Sequence, residues 1–199
     1  MSWSTALIIM LALGAVLWIV QFVNVGNSYR LDRFGLRPRQ VDGLEGIVLS
    51  PFLHASYGQL LANSAPFVLI GWVVLLAGVR VFMLVSALVI VLGGLATWLV
   101  APGAAAPSGA IVGASALVMG WIGYLLARAY FSRKLKWIVA AVVVLTFFGT
   151  VLGGLLPSSD SSVSWQAHLC GFLAGIVAGA LLHPRRARTR RTRRPEPVS

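Results

Sequence analysis

Five residues carry a chemically useful side chain within or beside an otherwise apolar run: His54, Gln59, Asn63, Ser115 and His168. A serine hydroxyl attacks a carbonyl once a base takes its proton, and histidine is the commonest such base. Ser115 and His168 therefore pair as nucleophile and general base. Asn63 and Gln59 each bring an amide NH2 that can donate to a developing oxyanion. They are four residues apart and share one face of a helix. Ser115 opens its apolar run, so its own N–H has no helical partner and lies at the positive end of the helix dipole. No carboxylate is placed to complete a triad. Asp160 is nearest in sequence, but it belongs to the polar segment SSDSSVS. The expected centre is a dyad.

Taken singly, each of these residues has a plainer reading. A serine in a span bonds a backbone carbonyl, and Asn and Gln bond between helices. A histidine in a span is rarer and points more strongly to function. His54 stands nine residues before Asn63, so on one continuous helix the two would face opposite ways. His54 is therefore expected in the loop or at the approach to the helix, as a structural hydrogen-bonding residue.

These residues need elements that hold them. The chain has 199 residues, 58% hydrophobic and 11% charged, with mean hydropathy +0.88. About a quarter of an ordinary soluble domain is charged. The composition excludes a disordered chain, a solvated enzyme and a disulfide scaffold, and leaves an integral membrane protein. The one cysteine, Cys170, cannot form an internal bridge. Three histidines, one cysteine and scattered acids form no ligand cluster, so neither a metal nor an organic cofactor is expected.

Six apolar runs approach the length of about 20 residues that a spanning helix needs: 5–25, 58–77, 81–100, 115–130, 135–156 and 165–182. They are continuous rather than alternating, which excludes a β-barrel and leaves an all-α integral membrane protein. The first run is expected to be retained, because residues 1–4 carry no Lys or Arg. The long first loop, 26–53, reads as ordered loop or short interfacial helix.

Basic loops mark the cytoplasmic side. Arg80, Arg128, Arg133, Lys134, Lys136 and the seven arginines between 185 and 194 make 12 of the 16 Lys and Arg residues. With six spans all 12 fall on one side, so both termini are expected in the cytoplasm. The starts of spans two, four and six, with all five polar residues, then gather on the opposite side. Residues 1–183 read as one membrane domain and 184–199 as a disordered basic tail. The tail is expected to touch anionic lipid headgroups rather than nucleic acid.

Glycine supports the geometry. Gly171, Gly175 and Gly179 recur every four residues, while Gly113, Gly120 and Gly123 serve the fourth run. Two helices meeting along such stripes could bring Ser115 and His168 within hydrogen-bond reach.

These residues resemble those of the rhomboid intramembrane serine proteases, over roughly 5–182. The family has a Gly-x-Ser-Gly motif at its fourth core span, where this chain has Gly113-Ala114-Ser115-Ala116. Its sixth span carries Ala-His-x-x-Gly-x-x-x-Gly, matched throughout by Ala167-His168 through Gly171 and Gly175. Its second span carries two histidines and an asparagine, at the spacing of His54, Gln59 and Asn63. Three departures stand out. Gln59 replaces a histidine, Ala116 replaces a glycine, and Glu45-Gly46 stands where many members have Trp-Arg. Met119, at an often aromatic position, could still pack against the imidazole.

The resemblance implies a six-helix rhomboid-like bundle in the plasma membrane. It would cut single-span membrane proteins near the extracytoplasmic face, with 157–165 acting as a lid. An amide at position 59 still donates, so altered or weakened catalysis follows rather than none. Two rivals follow from the same residues. One is a rhomboid-like pseudoprotease that binds membrane helices without cutting them. The other is a small transporter, which would need ionisable groups deeper in the bilayer than these spans offer.

Overall fold

The computed structural model describes residues 1–102, 109–157 and 164–183. They form an all-helical bundle, and their one β-type pairing is an isolated antiparallel bridge between Leu36 and Ile111. The main helices are α1 (Trp3–Gly26), α2 (Gly46–Leu49), α3 (Tyr57–Leu75), α4 (Val79–Leu88), α5 (Gly94–Val100), α6 (Ser115–Ser132), α7 (Leu135–Phe148) and α8 (Trp165–Leu182). A π-helical turn, Val89–Gly93, joins α4 to α5, so Val79–Val100 is one rod. A 3-10 segment, Gly149–Leu155, extends α7.

Among the described residues, 5 helical rods are long and apolar enough to cross a membrane: Trp3–Gly26, Tyr57–Leu75, Val79–Val100, Leu135–Leu155 and Trp165–Leu182. These match five of the six expected runs. The remaining run is α6, 18 residues long, and it differs in kind. It sits inside the bundle, with Leu117–Leu125 buried throughout. Its neighbours are helices rather than lipid, so it can carry Gly120, Gly123, Tyr124 and Arg128. The outer rods instead expose large apolar side chains, such as Ile8, Ile19, Leu61, Met83, Leu99 and Phe147. Backbone polar groups close within each helix, which a lipid environment demands.

Packing within lipid depends on close fit and polar contacts, because lipid tails are as apolar as leucine. The tightest fit joins α6 to α8. A Cβ on Gly171 would strike the Ala116 carbonyl, and one on Gly175 the Gly120 carbonyl. One on Gly123 would strike the Phe172 carbonyl, and one on Gly179 the Ala127 methyl. The two glycine stripes therefore meet, with one correction. Gly113 is not part of the α6 stripe: it precedes the helix, at φ +125°.

Around this pair the other rods are fixed by aromatic and polar contacts. Trp121 lies between Phe67 of α3 (5.2 Å) and Phe82 of α4 (5.4 Å), and its indole N–H donates to Ser86. Trp18 and Trp72 tie α1 to α3 through Ser64 and the Trp3 carbonyl. Such interhelical hydrogen bonds contribute about 0.6–2 kcal/mol each.

The first loop is ordered, as expected. Its buried Asp32 accepts from the Asn24 amide at 2.8 Å. Burial raises the Asp32 pKa, and the Asn24 bond partly opposes the rise. Helix α2 rests on Gly94, where a Cβ would meet Ile47. Arg39 caps α5, donating from its guanidinium to the Ala101 carbonyl at 2.7 Å and from its backbone to Trp98 at 3.1 Å. A cation at a helix C-terminus also suits the dipole. At Gly46, one of the two positions where the resemblance expects Trp-Arg, a Cβ would run into the Gly35–Leu36 backbone.

Candidate active site

Ser115 is the first residue of α6. The strand-like approach to it is held on three sides. Leu36 exchanges backbone hydrogen bonds with Ile111 at 3.0 and 2.8 Å, and Gly113 N–H donates to the Ser50 carbonyl at 2.9 Å. His54 Nε2 accepts from Ala114 N–H at 3.4 Å. The positive φ of Gly113 requires glycine, and a Cβ there would lie 2.9 Å from Gln59 Nε2.

His54 is fully buried and lies ahead of α3, outside the helix, as its spacing predicted. Burial pushes its pKa down to about 4, so the ring is neutral near pH 7. Its hydrogen bond reaches the residue before the serine rather than the serine itself.

His168 lies in the first turn of α8, which Ser164 caps by accepting from Ala167 N–H at 3.3 Å. Its Nε2 is 2.8 Å from Ser115 Oγ. Its Nδ1 is 3.0 Å from the Gly154 carbonyl oxygen, in the 3-10 segment. A carbonyl can only accept, so this bond places the proton on Nδ1. Nε2 is then the lone-pair nitrogen, facing the serine hydroxyl. A Cβ on Gly154 would meet His168 Nδ1 at 2.6 Å and Met119 Cε at 3.6 Å, so the ring and the methionine methyl share one pocket. Gly171, one turn after His168, brings α8 onto the Ala116 backbone and sets the ring's height against the serine.

Gln59 and Asn63 both face the same space but differ in their commitments. Gln59 donates from Nε2 to the Val112 carbonyl at 3.0 Å and accepts from Ala55 N–H at 2.8 Å. One of its two amide hydrogens is thus used to hold the approach to Ser115. Asn63 is 9% exposed, and among the described residues its side chain makes no hydrogen bond. Its amide nitrogen lies 3.7 Å from where a Gly113 Cβ would be.

A cavity of about 760 Å³ connects these groups. Ser115, His168, Asn63, Gln59, Gly113 and Gly171 all line it; His54 does not. The structure gathers Ser115, His168, Asn63 and Gln59, which the sequence singled out, around one cavity and adds two main-chain features that sequence reasoning missed. One is the Gly154 carbonyl, signalled only by a proline three residues later. The other is the Arg39 cap on α5. Asp160, most of the expected lid and the basic tail lie outside the described residues.

A bundle of apolar rods around a half-buried serine–histidine pair defines a multi-pass membrane protein with a hydrogen-bonded serine at the head of its central helix. The chain belongs to the rhomboid family: residues 42–185 match the family's Rhomboid domain. Among its relatives are uncharacterized proteins of Mycobacterium tuberculosis and Mycobacterium bovis. Each is 40% identical over 171 residues, covering 84% of this chain and 71% of the relative. An uncharacterized protein of Mycobacterium leprae is 35% identical over 193 residues, covering 96% of this chain and 76% of the relative.

Proposed function

We propose that this rhomboid-family protein is an intramembrane serine endopeptidase. Ser115 Oγ attacks the scissile carbonyl while His168 Nε2 takes its proton. His168 then returns that proton to the leaving amine, and water releases the acyl group by the same route in reverse. The oxyanion is held by the Ser115 N–H, by the Asn63 amide and by the second amide hydrogen of Gln59. The observation that carries this reading is the 2.8 Å approach of Ser115 Oγ to His168 Nε2, with the ring's other nitrogen occupied.

The substrates are single-span membrane proteins, cut near the extracytoplasmic face after local unwinding, since a helical peptide bond is shielded. The protein lies in the plasma membrane with six spans, α6 among them, and both termini in the cytoplasm. Residues 1–183 form the membrane domain. The basic tail, 184–199, rests on anionic headgroups.

Fluorophosphonate labelling of purified protein, with Ser115→Ala and His168→Ala alongside, tests the reading. Labelling and cleavage of single-span test proteins are expected from the wild type and from neither variant. A correctly folded wild type that neither labels nor cleaves would exclude the protease. The second reading, a pseudoprotease that binds membrane helices, would then stand. The two-sided engagement of Gln59 by backbone favours that second reading.

A further inference from the structure

His168 has an orienting partner, and it is not a carboxylate. A general-base histidine needs its proton on the nitrogen remote from the nucleophile. The wrong tautomer costs on the order of 10⁴ in rate where an orienting aspartate is lost in a serine protease. Here both ring nitrogens of His168 are occupied, one by Ser115 and the other by the Gly154 carbonyl.

Two features of the sequence keep that carbonyl available. In a 3-10 turn each carbonyl accepts from the N–H three residues on. Leu156 N–H donates to Gly153 in this way, at 3.1 Å. The next donor, due to reach Gly154, would be residue 157, which is a proline and has no N–H. Leu156 is already extended (φ −90°, ψ 146°), as a residue before proline prefers, and the turn ends there. The second feature is the missing side chain. A Cβ at position 154 would sit 2.6 Å from His168 Nδ1, inside any tolerable contact, so no other residue lets the ring lie where it does.

We propose that Gly154 is a positioning residue for the dyad: its carbonyl, left without a donor by Pro157, holds His168 in the tautomer that can take the Ser115 proton. This rests on Ser115 and His168 being the catalytic pair. It makes the end of the α7 rod part of the machinery, although that rod contributes no catalytic side chain. The partner is neutral, so it directs the proton without adding charge to the site.

The test replaces Leu155 by its α-hydroxy acid, turning the 154–155 peptide bond into an ester and weakening the Gly154 carbonyl as an acceptor. The same change at Val144, within α7, is the control. Imidazole-¹⁵N NMR, with the His168→Ala spectrum subtracted, reads the tautomer directly. Wild type and the position-144 ester should show His168 protonated at Nδ1. The position-155 ester should show a mixture, with kcat reduced about tenfold, the worth of one hydrogen bond, and KM unchanged. Pro157→Ala, which restores the missing donor, should shift the tautomer the same way. A position-155 ester with wild-type tautomer and wild-type kcat would overturn the proposal. An inactive wild type would remove the protease reading, while the tautomer comparison would still decide whether the Gly154 carbonyl orients the ring.

Discussion

At the scale of single residues, the site divides into side chains still free to bind a reacting group and side chains spent on holding the backbone. Asn63 belongs to the first. Its amide is uncommitted among the described residues and lines the cavity beside Ser115. Asn63→Ala is expected to lower kcat by about 10²–10³, the usual loss for one oxyanion donor, with little change in KM. Gln59 belongs to both groups. Gln59→Ala should lower the melting temperature as well as kcat, because it also frees the Val112 carbonyl and the Ala55 N–H.

His54 holds only. Its folded pKa of about 4 lies below the ordinary value of 6.5, so the unfolded chain takes up the proton first. Its contribution to stability is therefore complete above about pH 6.5 and is lost progressively as pH falls toward 4. The loss is on the order of 3 kcal/mol, before any discount for partial solvation. Asp32, with its raised pKa, has the opposite sign and favours the folded state toward low pH. Thermal unfolding of wild type and His54→Gln across pH 4–8 separates the two: the His54 slope should vanish in the variant, and the Asp32 slope should remain.

At the scale of elements, the Ser115–His168 pair depends on how closely two helices approach. Ser115 and His168 are 53 residues apart, and each stands in the first turn of its helix. Their hydrogen bond survives only while the glycine stripes stay in contact. Gly175→Val would force side-chain carbon into the Gly120 carbonyl, two helical turns below the dyad. Overpacking of this kind costs about 1–3 kcal/mol and shifts the backbone. The variant is expected to unfold at lower temperature and to lose fluorophosphonate labelling although every reacting group is intact. Gly149→Ala, where a Cβ meets nothing within 4 Å, should leave both measurements unchanged.

At the scale of the whole molecule, the question is which way the bundle faces. The site residues cluster at one end of the rods, where α3, α6 and α8 begin. The opposite end carries Arg80, Arg128, Arg133, Lys134 and Lys136. There Arg128 stacks over Trp137 at 3.9 Å and donates to the Tyr124 hydroxyl. The proposed topology predicts that cysteines placed at Ser2 and at Ser199, in a Cys170→Ala background, react with an impermeant maleimide only after the cells are opened. A cysteine at Val41, on the exposed first loop, should react in intact cells. Reaction of the two ends on opposite sides would rule out an even number of spans.

By itself the sequence determined the class of protein and the candidates for its chemistry. Composition decides whether a chain belongs in lipid, and polar side chains are costly enough there that Ser115, His168 and Asn63 stand out against the apolar runs. The motif around His168 and the glycine stripes named two helices able to meet closely, and the structure shows that they do. The tertiary structure decided which hydrogen-bonding group each residue uses. Gln59 turned out to be tied to the Val112 backbone, His54 to serve Ala114, Gly113 to leave the stripe for a turn, and His168 to lean on a carbonyl. The physical reason is that backbone carbonyls and N–H groups occur at every residue and leave no mark in composition or spacing. Which of them comes within 3 Å of a side chain depends on where separate segments cross, and only the folded bundle fixes those crossings.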